Sequence, residues 1–191
     1  MGKLVLASAS PRREELLKQL KLQFTIVPSR IDESQFNGLK PVDMVEKLAF
    51  AKAESVSELV EEAIIIAADT VVVAQDRVLN KPEDAEDAKN MLSALSGKEH
   101  QVITGVAVMN SETDEYLVEH NITSVFMEEI SEEEIDKYLE TGEPMDKAGA
   151  YAIQGFGSLF VREIKGSYYS VVGLPLNQLS KMLKKFNYGI L

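Results

Sequence analysis

Residues 63–74 read Ala-Ile-Ile-Ile-Ala-Ala-Asp-Thr-Val-Val-Val-Ala. A run so rich in β-branched side chains, apolar at odd and even positions alike, has no face to give to solvent. It is expected to be a strand buried on both sides, at the centre of a sheet. Such a strand needs helices over it, and the flanking sequence supplies them. Helices are expected at 11–20, with Ser10 as N-cap and Pro11 at the first position, at 41–60, and at 82–95, ending near Gly97. Ser131-Glu132-Glu133-Glu134 is a capping box opening a helix that stops around Gly142-Glu143-Pro144, and 175–186 is a closing helix. Short strands are expected at 4–7 and 24–27, a long antiparallel hairpin at 101–109 and 115–127, and a last strand at 158–164. Residues 29–40 and 149–157 read as loop. Helices and strands interleave, with one hairpin breaking a parallel pattern. The expected class is therefore α/β, a mixed sheet flanked by helices, within the 191 residues that fit one domain or two small lobes sharing a core.

Asp69 stands inside the apolar run. A carboxylate there loses its hydration unless it is paired, protonated or bound to a metal, and acids so placed are often catalytic bases or metal ligands. The alternative is a structural Asp accepting backbone N–H groups where the strand ends. Lys52 poses the same question on the helix at 41–60. Val45, Leu48, Ala49, Ala53 and Val56 define a buried stripe, and Lys52 falls within it. It must snorkel, pair with a carboxylate, or face a polar cavity. A third anomaly is the junction Ser8-Ala9-Ser10-Pro11-Arg12-Arg13. Helix starts favour acids, so paired arginines fit best if an anion docks on the free N–H groups; a solvated basic first turn is the plainer account. Weaker signals are the acidic loop pair Asp32-Glu33, Lys81 at an expected helix entrance, and Gln154 among glycines that allow close approach of a ligand. A Gln amide pairs a donor with an acceptor, which suits a base edge. His100 and His120 read as strand residues, and the acidic run 128–134 as a solvated face plus cap.

The 20 Lys and Arg against 31 Asp and Glu give a net charge of −11. This opposes a general nucleic-acid binder, which needs a basic footprint, but not a small anion held by a local cationic cluster. With no cysteine in the chain, disulfides, thiolate metal sites and thiol nucleophiles are excluded. No apolar run approaches a membrane span, and the first residues do not form a signal peptide, so a soluble intracellular protein is expected. Arg12, Arg13, Lys52 and Lys81 together with Asp69 and Glu33 suit a polyphosphate carried with a divalent metal such as Mg²⁺. One of the acids would then activate water. Neither a Walker loop nor a Rossmann fingerprint is present.

Leu6-Ala7-Ser8-Ala9-Ser10-Pro11-Arg12-Arg13 resembles the opening signature of the Maf family of nucleotide pyrophosphatases. So do Ala68-Asp69-Thr70, Asn80-Lys81-Pro82 and the stretch from Met145 to Gly155, so that ordered motifs span nearly the whole chain. The resemblance implies an elongated, twisted mixed sheet of the Maf/ITPase-like kind. It would be a single domain over 1–191 whose two lobes share one sheet, with substrate in a central cleft. It implies a cytoplasmic enzyme that converts a nucleoside triphosphate to monophosphate plus pyrophosphate with Mg²⁺ or Mn²⁺. By position, Asp69 resembles the family's proton acceptor, and Arg13, Thr70 and Gln154 its substrate-selecting residues. Ser8, Arg12, Lys52 and Lys81 match phosphate-handling positions, with Glu33 and Asp69 as metal ligands. The Ala-Gly-Ala-Tyr-Ala-Ile-Gln-Gly form resembles the branch acting on dTTP and UTP, rather than on 7-methyl-GTP. The expected partner is a nucleotide, with neither nucleic acid nor membrane, and a homodimer is expected. The competing expectation is a non-catalytic nucleotide-binding regulator of cell division and septum formation; the intact acids and cations argue against it.

Overall fold

The computed structural model describes residues 2–191. The chain divides into two compact units: one takes the chain up to Asp69 with Thr104–Asn121 and Gly173–Leu191, the other Thr70–Ile103 with Ile122–Val172. Seven strands run in the order β2-β1-β3-β5-β6-β7, with β4 paired to β3. They are β1 (Lys3–Leu6), β2 (Thr25–Ile26), β3 (Ala63–Ala74), β4 (Arg77–Leu79), β5 (Glu99–Asn110), β6 (Tyr116–Met127) and β7 (Val161–Lys165). The helices are α1 (Pro11–Gln19), α2 (Pro41–Ser57), α3 (Ala85–Leu95), α4 (Glu132–Glu140), α5 (Tyr168–Val172) and α6 (Leu176–Lys185). This is the expected mixed α/β sheet.

In the first unit α1 returns the chain from β1 to β2 and α2 from β2 to β3, so β1 pairs in parallel with both, Val5 opposite Thr25 and Leu6 opposite Ile66. Both faces are covered, which is why Leu4, Val5, Leu6, Ile65 and Ile66 are all buried. The predicted stripe of α2 is buried as a whole, Lys52 included. Val5, Ala7, Ala49, Ala53, Val56, Ile65, Ala67 and Met109 form one continuous core. A Cβ at Gly105 of β5 would come within 2.3 Å of the Val45 carbonyl oxygen, so only glycine lets α2 lie this close to the strand. Lys52, two turns along the same face, is carried in with it.

The second unit has its own core, in which Ala88, Leu92 and Leu95 of α3 meet Ile135 and Tyr138 of α4, Val125 and Met127 of β6, and Phe160. Here β4 runs antiparallel to β3 and β7 antiparallel to β6, with a register shift at Phe126 and Met127. His100 and His120 are strand residues as expected. His100 is buried, with Nε2 2.7 Å from the Tyr151 hydroxyl and no hydrogen-bond partner at Nδ1 among the described residues. Burial pushes its pKa from 6.5 down to about 4. The unfolded chain therefore binds this proton more tightly than the folded one. The stability His100 contributes is complete above its unfolded pKa and lost as pH falls toward the folded value, about 3 kcal/mol in all. Urea unfolding between about pH 7.5 and pH 4.5 is expected to show wild type losing roughly 2 kcal/mol more than His100→Gln. Equal losses in the two proteins would contradict a neutral buried imidazole.

Several local expectations are corrected. The helix expected from Pro82 starts at Ala85, because Asp84 is a true N-cap whose carboxylate accepts from Asp87 N at 2.8 Å. Lys81 consequently lies in an exposed bend before the cap and not at a helix entrance, so it meets no unpaired helix N–H groups as an unusual cation would. Ser10 holds the N-cap position of α1 but makes no side-chain cap bond. The strand expected from Ser158 starts at Val161, since Gly155–Phe160 closes into a three-ten turn with Ser158 Oγ donating to Gly155 O. The loop at 149–157 likewise contains three-ten turns, and residues 29–40 hold another at Glu33–Phe36. The strand β4 and the helix α5 were not expected.

Candidate active site

The parallel ladder of β1 on β3 ends at Leu6 and Ile66, and Asp69 follows three residues on. It thus lies toward the carboxyl end of parallel strands, where open α/β sheets receive ligands. Asp69 is only 8% exposed and Lys52 of α2 likewise 8%. Lys52 Nζ lies 2.7 Å from Asp69 Oδ1 and 2.8 Å from Glu33 Oε1. The lysine therefore does not snorkel; it pairs with carboxylates, and Asp69 is paired as a buried charge must be. Glu33 keeps its side chain 58% exposed. The acidic pair Asp32-Glu33 splits by task. Asp32 caps the three-ten turn, accepting from Ser34 N at 3.0 Å and Ser34 Oγ at 2.6 Å, and this frees Glu33 to reach Lys52.

From α1, Arg13 Nε donates to the Gly173 carbonyl at 2.8 Å and Arg13 Nη1 to Ser8 Oγ at 3.3 Å. Ser8, buried, also accepts from Ser10 N at 3.1 Å, so its hydroxyl shapes the turn into the helix. Burial lowers the pKa of Arg13, Asp69 opposes that shift, and Arg12 lowers it further while Glu33 raises it. A guanidinium remains charged throughout. Arg13 is thus a half-buried cation, within the field of both acids and repelled by its neighbour. An anion binding at the α1 N-terminus relieves that repulsion.

The first unit therefore contains Ser8, Arg12, Arg13, Glu33, Lys52 and Asp69, while Thr70, Lys81 and Gln154 fall in the second. Thr70 follows Asp69 on β3 and is partly buried. Gln154 is the residue before the Gly155–Phe160 turn, in extended conformation and making no side-chain cap bond there. Two further residues carry no sequence signal of what they hold. Gly173 anchors Arg13 through its carbonyl, and nothing in the sequence around it points to that bond. Glu143 shows in the sequence only as part of the helix stop Gly142-Glu143-Pro144.

In chemical terms, two carboxylate oxygens from different elements converge on one ammonium. Two acids so placed also suit a hard divalent ion, which takes one or two carboxylates and completes its shell with water and phosphate oxygens. The donor set at Glu33 and Asp69 is all carboxylate oxygen, which fits a hard ion such as Mg²⁺ or Mn²⁺.

A family model described as Maf-like protein matches residues 3–186. The chain is 51% identical over 191 residues to a protein of Pelotomaculum thermopropionicum named dTTP/UTP pyrophosphatase, with 100% of each chain covered. Proteins of the same name from Bacillus cytotoxicus and Clostridioides difficile are 49% and 46% identical, covering 99% and 96% of this chain and 98% and 94% of their own lengths. Among solved structures, the Ham1 protein of Staphylococcus aureus aligns with a TM-score of 0.56 at 12% identity, over 96% of this chain and 99% of that one. A likeness at that identity shows the fold alone.

Proposed function

This chain belongs to the Maf-like protein family, and on that premise we infer that it is a nucleoside triphosphate pyrophosphatase that hydrolyses dTTP and UTP to the monophosphate and pyrophosphate. The observation that carries the chemistry is the convergence of buried Asp69 and of Glu33 on Lys52. Arg12, Arg13 and the α1 N-terminus offer positive charge to phosphate, with Ser8 fixing the turn that presents them. Lys52 contributes a further cation, drawn from its carboxylates toward phosphate oxygens when substrate binds. Asp69 takes the proton of the attacking water: Lys52 occupies one of its acceptor positions, and a carboxylate has several. Glu33 and Asp69 would hold a divalent cation, which supplies neutralisation of phosphate charge and a more acidic bound water.

The resemblance extends the assignment into the second unit, with Lys81 on phosphate and Thr70 and Gln154, together with Arg13, selecting the base. The exposure of Lys81 leaves its ammonium available to a ligand. Because the family match runs unbroken over 3–186, we read the two units as parts of one family domain. Among the described residues no helix is long and apolar enough to cross a membrane. A cytoplasmic location, where nucleotides are, accords with the proposed reaction.

A panel of ribo- and deoxyribonucleoside triphosphates, assayed with Mg²⁺ or Mn²⁺, tests the reading. Turnover of dTTP and UTP well above that of purine nucleotides is the expected result. Tight binding of nucleotides with no turnover of any would leave a non-catalytic regulator instead.

A further inference from the structure

Gln154 sits in the middle of a segment pinned from outside. Helix α4 ends at Glu140, and Gly142 turns the chain with a φ of 70° into the three-ten turn Glu143–Asp146. The backbone of Glu143 is fixed on both sides: its N–H donates to Thr141 Oγ1 at 3.1 Å, and its carbonyl accepts from Lys147 Nζ at 2.8 Å. Its carboxylate then reaches across to the segment that follows Gln154. Oε1 accepts from Gly157 N at 3.0 Å and from the Tyr138 hydroxyl at 2.9 Å, and Oε2 accepts from Phe156 N at 3.1 Å. Burial works against the charge of Glu143, but these donors, with Lys147, hold its pKa below the usual carboxylate range. Tyr138 continues the clasp, its hydroxyl also accepting a hydrogen bond from the Ala152 backbone.

The glycines of this stretch are cut to the same contact. Gly155 has a φ of +70°, and a Cβ there would come within 2.5 Å of Glu143 Oε2. A Cβ at Gly157 would come within 2.5 Å of Ala152 O and 2.6 Å of the Tyr138 hydroxyl. Residues 152, 156 and 157 are thus all held by the Glu143–Tyr138 pair, and Gln154 lies between the fixed points with its side chain uncommitted to the turn. A carboxylate satisfied by several donors of its own unit is not a ligand site. It is a buttress, and the residue it presents is the amide proposed to read the base.

We propose that Glu143, acting through the Tyr138 hydroxyl and the backbone of residues 156 and 157, is a positioning residue that sets base selectivity by fixing Gln154. This rests on the reading of Gln154 as a base-selecting residue. Replacement of Glu143 by Gln is nearly isosteric, but turns an amide NH₂ toward backbone N–H donors and loosens the turn. The measurement is kcat and KM for dTTP, UTP and dCTP in wild type, Glu143→Gln, Tyr138→Phe, Gln154→Ala and the Glu143→Gln/Gln154→Ala pair, with Tm of each. Glu143→Gln is expected to raise KM for dTTP about tenfold with little change in kcat and to cut the preference for dTTP over dCTP by a similar factor, as displacement of a positioned group does. Tyr138→Phe is expected to do the same to a smaller degree, and the double variant to lose no more preference than Gln154→Ala alone. A purely structural Glu143 would lower Tm and slow all substrates in proportion. Loss of preference in Gln154→Ala but not in Glu143→Gln or Tyr138→Phe would overturn the positioning role alone. Unchanged preference in Gln154→Ala would overturn the base reading, and this proposal with it.

Discussion

Asp69→Asn is expected to lower kcat for dTTP and UTP by about 10³-fold, within the range a general base contributes, while leaving nucleotide affinity within a fewfold of wild type. The substitution is chosen because it disturbs little else. Asn keeps an oxygen that accepts from Lys52 Nζ where Asp69 Oδ1 does so at 2.7 Å, and Lys52 retains Glu33 at 2.8 Å as a charged partner. The buried ammonium therefore stays compensated and the apolar strand around position 69 is not repacked. What disappears is the capacity to take a proton, together with one of the negative charges offered to a divalent cation. Steady-state rates give the first quantity, and calorimetric titration with dTTP in chelator the second. Retained turnover would remove Asp69 from the mechanism; lost affinity with preserved kcat would make it a binding residue.

Lys52→Met is the second large effect, and it is read in stability as well as in rate. With the ammonium gone, Asp69 and Glu33 lose the cation they share directly and keep only the longer-range field of Arg13. Removing one partner of a buried pair costs about 3–5 kcal/mol, but Glu33 is more than half exposed, so solvent screens part of this and about 2 kcal/mol is expected. For a domain of this size that is a fall in Tm of roughly 4–8 °C. The kcat/KM for dTTP should fall about 10²-fold or more with the loss of a cation facing phosphate. The more telling measurement is made without substrate. Because the two carboxylates that hold Lys52 are the proposed metal ligands, Mn²⁺ should raise Tm more in Lys52→Met, where no ammonium competes for them, than in wild type. A variant whose melting is indifferent to Mn²⁺ would show that Glu33 and Asp69 do not form a cation site.

Asp69 and Lys52 were legible in the sequence because each violates a strong local pattern: an acid in a strand apolar on both faces, a cation on the buried stripe of α2. Pattern violations identify charges that need partners but do not name them. Which acid meets Lys52 depends on the loop at 29–40, whose conformation is set by the Asp32 cap rather than by any periodicity. Arg13 was legible as a misplaced cation, whereas its bond to Gly173 joins residues 160 positions apart and leaves no trace in either local sequence. Lys81 went the other way: proline at 82 suggested a helix start, but the Asp84 side chain competes successfully for the cap and moves the start to Ala85. The strand β4 is three residues long, too short to show an alternation. Glu143 was hidden because Gly142-Glu143-Pro144 is sufficient as a helix stop, and nothing in those residues reveals that the carboxylate is used again fourteen residues later, at Gly157.

Which anhydride bond water breaks is read from the phosphorus NMR spectrum of dTTP turned over with Mg²⁺. Signals of dTMP and pyrophosphate growing together in equal amounts are the expected result. Signals of dTDP and orthophosphate would contradict it.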